Sequence, residues 1–173
     1  MLCNHQTSTD ITHGGKEPGD LIEIDRKTYR HWALFIGDGY VIHLTNDDDS
    51  STSVAAIGAS SASAVAIVKK QKLKDVAAGH VWRVNNSLDK KWKAKPSDAI
   101  LKNAEQRVGE KIRYRLIKYN CEHFVTELRY GQPKSRQAQT AKLVAAGGSG
   151  VVLAGVLGAI VAALVSVFSP RTF

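Results

Sequence analysis

Asn120-Cys121-Glu122-His123-Phe124-Val125, running on to Arg129-Tyr130-Gly131, is the stretch from which the rest of the chain is read. A cysteine stands where a polar, strand-like run (Ile112 to Tyr119) gives way to a helical pattern. Phe124, Val125 and Leu128 share one helical face, and Gly131 is placed to end it. Asn120 is a good N-cap, so Cys121 falls in the first turn. There the helix dipole favours thiolate, the nucleophilic form of the side chain. A lone cysteine is more often a small apolar residue packed under a helix. Two histidines far upstream argue for chemistry instead.

The chain has 173 residues, enough for one domain with a real core plus appendages. A net charge of +8 with 43% hydrophobic residues excludes a disordered chain and points to an acidic partner, such as an anionic membrane. Nucleic acid would rest on that charge alone and is not expected. The two cysteines, Cys3 and Cys121, make no disulfide framework, so a reducing compartment is the default. Residues 1–16 read as a disordered leader without the apolar core of a secretory signal.

Leu143–Phe168 carries no charged residue. As a helix it would extend roughly 39 Å, enough to cross a ~30 Å hydrocarbon layer with some tilt. Small residues spaced four apart (Gly150 and Ala154, Gly155 and Ala159) suit close helix contact. A single transmembrane anchor is expected over 143–168, after a polar linker at 132–142 and before a short tail at 169–173. Lys134, Arg136 and Lys142 precede it against Arg171 after it, which places the main domain, 17–131, on the cytoplasmic side of an intracellular membrane.

Within that domain Pro18-Gly19 marks a turn and Asp20–Ile24 a first strand. His31–Ile36 and Tyr40–Leu44 are β-prone runs around Gly37-Asp38-Gly39, a hairpin signal. Asn46–Ala64, with three aspartates and then Ser and Ala, reads as a solvated loop rather than a cation site. Val65–Lys70, Leu73–Val76 and His80–Val84 read as short strands, and Asn85–Lys95 as a basic loop carrying Trp92. Pro96-Ser97 opens a helix with Ile100, Ala104 and Val108 on one face, closed by Gly109. Ile112–Leu116 is a last strand before the cysteine helix. The order implies an α+β fold, an antiparallel sheet packed on helices.

A cysteine nucleophile needs a base in reach, and the base needs a group to orient it. His31 and His43 flank the hairpin. A two-residue Asp38-Gly39 turn would set His43 opposite Leu34 and send His31 to the other face. A three-residue loop, or a bulge of the same parity, would set His43 opposite Ala33. Both histidines would then share a face as diagonal neighbours roughly 7–8 Å apart at Cα. That arrangement, with Gly39 at positive φ, is the one catalysis requires.

Pro18-Gly19-Asp20-Leu21-Ile22-Glu23, His31-Trp32-Ala33-Leu34, Gly37-Asp38-Gly39-Tyr40-Val41-Ile42-His43-Leu44, Val84-Asn85-Asn86 and Asn120-Cys121-Glu122-His123-Phe124-Val125 together closely resemble the phospholipase A/acyltransferase proteins. These are the small tail-anchored branch of the lecithin:retinol acyltransferase-like group. The resemblance spans about Glu17 to Gly131. It implies a circularly permuted relative of the NlpC/P60, papain-like thiol hydrolase fold. It further implies Cys121 as nucleophile, His31 as general base and His43 as the residue orienting it. Tyr29 and Asn120 are weaker candidates for oxyanion or supporting roles. The implied substrates are glycerophospholipids, among them phosphatidylcholine and phosphatidylethanolamine, attacked without calcium, metal or organic cofactor. The leader and the loop after Thr45 depart from the pattern.

Other readings use the same residues. Cys121, His123, His31 and His43 are zinc-ligand types, although Cys-x-His is poor spacing for a zinc site. His123 reads as structural. A membrane-tethered interaction protein that keeps the fold, or a peptidase of the parent fold, would need no lipid chemistry; the intact Cys/His/His set opposes the first and the hydrophobic segment the second.

Overall fold

The computed structural model describes residues 15–46, 64–115 and 118–145. Six antiparallel strands, β1 (Leu21–Asp25), β2 (Arg30–Gly37), β3 (Tyr40–Asn46), β4 (Ala64–Lys72), β5 (Trp82–Val84) and β6 (Lys111–Tyr114), form one sheet in the order β5-β1-β2-β3-β4-β6. Four α-helices accompany them: α1 (Leu73–Ala77), α2 (Ser97–Gln106), α3 (Cys121–Tyr130) and α4 (Arg136–Ala145). The expected α+β class and antiparallel sheet are therefore observed.

Strand alternation sorts the apolar residues onto two faces. Leu21, Trp32, Leu34, Ile42, Leu44 and Val68 meet Ile100 and Ala104 of α2 and Phe124, Val125 and Leu128 of α3. Ile22, Ile24, Ala33, Phe35 and Val41 meet Leu73 and Val76 of α1 on the other side. Phe124, Val125 and Leu128 are wholly buried, each contributing about 2 kcal/mol of hydrophobic stabilisation. They hold α3 against β2 and β3.

The β2–β3 hairpin resolves its parity with a bulge. Asp38 (φ 49°) and Gly39 (φ 76°) form a two-residue turn between Gly37 and Tyr40. Both left-handed positions match the hairpin twist. A register shift between Phe35 and Gly37 then inserts one residue, so Ala33 pairs with His43 and Leu34 with Ile42. His31, Ala33 and His43 consequently share a face.

Two sequence expectations change. Leu73–Val76, read as a strand, is the start of α1: Leu73, Val76 and Ala77 are buried together at helical spacing, and Ala78 (φ 48°) ends the turn in the left-handed region. Helix α2 stops at Gln106 rather than running to Gly109, and Val108 is exposed. Trp92 of the basic loop packs against the first core, edge to face with Tyr130.

Residues 1–14 of the leader, 47–63 of the acidic loop and 146–173, which hold nearly all of the expected anchor, lie outside the described residues. Among the described residues no helix is long and apolar enough to cross a membrane. Within the stretch read as a linker, α4 begins at Arg136, and Ala138 is buried.

Candidate active site

Local chemistry places the cysteine. Asn120 Oδ1 accepts the backbone N–H groups of Glu122 (3.0 Å) and His123 (3.1 Å), while His123 Nδ1 accepts the Asn120 N–H at 3.2 Å. This reciprocal capping box fixes the first turn of α3, and Gly131 (φ 77°) terminates the helix. Asn120 is thereby committed to the cap, with Nδ2 donating to Ser135 Oγ at 3.1 Å. His123 stacks on Tyr119. Those contacts turn it to the helix cap, away from a shared zinc site with Cys121 and the histidine pair.

The sheet opens where Cys121 enters it. The β2–β3 ladder runs from Gly37↔Tyr40 to Ala33↔His43 and stops, which leaves Arg30 and Trp32 beyond its last rung. The Cys121 S–H points at the Arg30 carbonyl oxygen, 3.9 Å from Sγ, and the Trp32 N–H points at the sulfur. Backbone N–H and C=O groups of a strand lie in the sheet plane. The sulfur therefore reaches the open edge of β2 from the face that α3 covers, with His31 the residue between its two backbone contacts.

Gln137, at the start of α4, fills the rest of this edge. The Arg30 N–H donates to Gln137 Oε1, and Gln137 Nε2 donates to the Arg30 carbonyl, both at 3.0 Å. A side-chain carboxamide thus replaces the ladder rung that β3 does not supply. Buried Glu122 anchors the same turn: its Oε2 accepts from Ser135 Oγ at 2.7 Å and from the Gln137 N–H at 3.3 Å. The Arg30 side chain is pinned in turn by Glu23 (3.0 Å) and Asp25.

His31 Nε2 and His43 Nδ1 are 2.9 Å apart, with their rings nearly perpendicular. His43 Nε2 meets Gln71 Oε1 of β4 at 2.7 Å. Burial lowers the pKa of His31 well below the imidazole norm, and the neighbouring His43 and Arg26 lower it further. Burial likewise pushes His43 down to about 4 against the opposing Gln71 bond; Arg26 and Lys69 also lower it. Both rings are neutral near pH 7.

The cysteine departs from expectation. Burial pushes the Cys121 thiol up to about 12, outweighing the Trp32 and Glu122 N–H groups that favour thiolate. The side chain that the helix dipole was expected to ionise is held as a thiol at rest, because burial of the sulfur outweighs the dipole. Such a site can move a proton from sulfur to a neutral imidazole during attack rather than store an ion pair.

Tyr114 joins the site unannounced by any sequence motif. It lies on β6, buried, with its hydroxyl in hydrogen-bonding contact with Cys121, and burial raises its pKa well above the phenol norm. Tyr29 neighbours Tyr114. Gln71 and Gln137 were likewise missed: each is one polar residue in a polar stretch, and only strand register and helix docking give it a partner.

The family model for Lecithin retinol acyltransferase matches residues 15–134. The chain belongs to this family. Human Phospholipase A and acyltransferase 4 is 46% identical over 135 residues, covering 76% of this chain and 80% of the relative. Mouse Phospholipase A and acyltransferase 3 is 46% identical over 143 residues (82% and 88%), and human Phospholipase A and acyltransferase 2 is 48% identical over 132 (75% and 82%). The lecithin retinol acyltransferase match contains both histidine strands and the cysteine helix. It ends at Lys134, one residue before Ser135 and the α4 turn that closes the edge of β2.

Proposed function

We propose that this protein is a thiol phospholipase A and acyltransferase acting on glycerophospholipids through a thioester on Cys121. The observation that carries the reading is the His31–His43 contact at 2.9 Å beside a helix-start cysteine whose sulfur is held at the edge of β2 between Arg30 and Trp32. The names of the relatives support the reaction class.

His31 Nδ1 takes the Cys121 proton as sulfur attacks an sn-1 or sn-2 ester carbonyl, while His43 orients the imidazole and stabilises its charge. The tetrahedral oxyanion is met at the start of α3 by the Cys121 N–H, which at rest donates to the Tyr114 hydroxyl, with Tyr29 near that hydroxyl. The imidazolium returns its proton to the departing lysophospholipid oxygen, leaving the thioester. Water then gives a free fatty acid. The amine of phosphatidylethanolamine gives the N-acyl product, and a lysophospholipid hydroxyl gives a diacyl lipid; in each case His31 accepts the nucleophile's proton and hands it to sulfur. No step requires calcium or an organic cofactor.

The same reading takes the domain as a permuted NlpC/P60 relative, its cysteine helix following the histidine strands. It takes 143–168 as a single membrane anchor that keeps the domain on the cytoplasmic side, beside phosphatidylcholine and phosphatidylethanolamine.

The test presents the full chain with phosphatidylcholine labelled differently in its two acyl groups, together with phosphatidylethanolamine. Lysophospholipid, fatty acid and N-acyl product are expected, with an acyl group trapped on Cys121 by mass spectrometry. Cys121→Ser should remove hydrolysis and transfer together, by about 10³-fold or more. Retention of either activity would reveal a second nucleophile and end the common-thioester reading.

A further inference from the structure

We propose that Gln71 is a positioning residue that sets the tautomers of both histidines, so that His31 Nδ1 is left unprotonated and able to act as the base. The inference rests on the catalytic reading above and extends it to a residue on a third strand.

The placement follows from register. In the β3–β4 ladder His43 pairs with Lys69 and Val41 with Gln71. Gln71 is therefore a diagonal neighbour of His43 on the same face, and its carboxamide oxygen lies 2.7 Å from His43 Nε2. That oxygen can only accept, so His43 Nε2 must carry hydrogen. A neutral imidazole has one N–H, which leaves His43 Nδ1 bare. The partner 2.9 Å away, His31 Nε2, must then be the donor. His31, neutral as well, is left with an unprotonated Nδ1. This is the nitrogen that a base needs when Nε2 is spent on orientation.

Each link is forced by the one before it, and the first is set by the carboxamide oxygen that Gln71, rather than its NH2, turns to His43 Nε2. Without an acceptor at position 71, His43 can carry its proton on Nδ1 and donate it to His31 Nε2. His31 then holds its hydrogen on Nδ1 and cannot take the thiol proton. Burial reinforces the device: at 7% and 3% exposure, His31 and His43 have little water to reassign their protons.

A merely structural Gln71 would brace β4, and its loss would show as instability. A tautomer-setting Gln71 predicts a different pattern. The full chain, in detergent micelles with 15N-labelled histidine, should show His31 and His43 both as Nε2–H tautomers. Gln71→Met, similar in shape but without the oxygen acceptor, should give mixed tautomers at both rings. Its kcat on phosphatidylcholine should fall about tenfold with KM unchanged, the bias one neutral hydrogen bond can hold between two tautomers. Gln71→Glu still only accepts, and should keep both tautomers and most of kcat.

The proposal is overturned if Gln71→Met keeps wild-type kcat and tautomers. It is equally overturned if Gln71→Glu loses as much as Met, or if wild-type His43 carries its proton on Nδ1. The wild-type spectrum decides even if Gln71→Met does not fold. Activity surviving in His31→Ala would instead remove the catalytic reading itself. An inactive His31→Ala beside a fully active Gln71→Met removes only the relay.

Discussion

Replacing Gln137 tests whether a helix outside the family match holds the catalytic edge. Its carboxamide makes both hydrogen bonds of a ladder rung to the Arg30 peptide, at 3.0 Å each, across 107 positions of sequence. Gln137→Ala strands an N–H and a C=O where no strand can pair them. A fully buried orphan costs about 1–3 kcal/mol, and a half-buried one that water can reach costs near the lower limit, so the pair costs about 2 kcal/mol. For a domain of this size that lowers Tm by about 8 °C. Because the Arg30 carbonyl also faces the Cys121 thiol, loss of the clamp should reduce kcat by about tenfold, the effect of about 1.4 kcal/mol in the barrier. Gln137→Glu sharpens the test. It can still accept the Arg30 N–H but cannot donate to the carbonyl, and it sets a carboxylate where Nε2 now lies 3.5 Å from Glu122 Oε2. It should be less stable than Gln137→Ala, although it is the closer match in shape. Thermal melts and steady-state hydrolysis of the three full-length proteins decide the matter. A wild-type Tm and kcat for Gln137→Ala, or a Glu variant more stable than the Ala one, would refute the clamp.

Other outcomes follow from the histidines and from α4. His43→Asn should retain more activity than His43→Ala, since an amide can still orient His31 and a methyl cannot; equal kcat losses would deny His43 that role. His43 is held neutral with its pKa near 4, mainly by burial, while in the unfolded chain it titrates near 6.5. The unfolded state therefore binds more protons between those values. Stability should be complete above pH 6.5 and fall as pH drops towards 4, by about 3 kcal/mol from this residue. Urea midpoints at pH 7.5 and 4.5 measure that slope, and His43→Asn should flatten it; an unaltered slope would mean the ring is not buried neutral. Truncation after Lys142 should leave the domain folded, because exposed Leu143 contributes no core packing. Truncation after Gly131 removes Ser135 and Gln137 from buried Glu122 and should cost about 2–3 kcal/mol for the two lost hydrogen bonds. Denaturant titration of the two truncations compares them, and equal stability would show that α4 does not support the domain.

What the sequence by itself determined is local or periodic. Asn120 and Gly131 bound the cysteine helix because a cap side chain and a left-handed residue act on their own neighbours. Catalytic use of His31 and His43 demanded one parity in the hairpin, and the bulge after Phe35 supplies it. The same logic misfired at Leu73–Val76, where four apolar-rich residues fit a strand as well as a single helical turn; packing on the second face of the sheet chose the helix. Tertiary structure alone decided the rest. Gln71 acquires its partner from β3–β4 register, and Gln137 from a helix that docks where two strands part. Tyr114 meets Cys121 because the β4–β6 register turns it into the core that α3 covers. The ionisation of Cys121 was misjudged for the same reason. A helix dipole is written in a few consecutive residues, whereas the desolvation that overrides it is the sum of everything that packs around the sulfur.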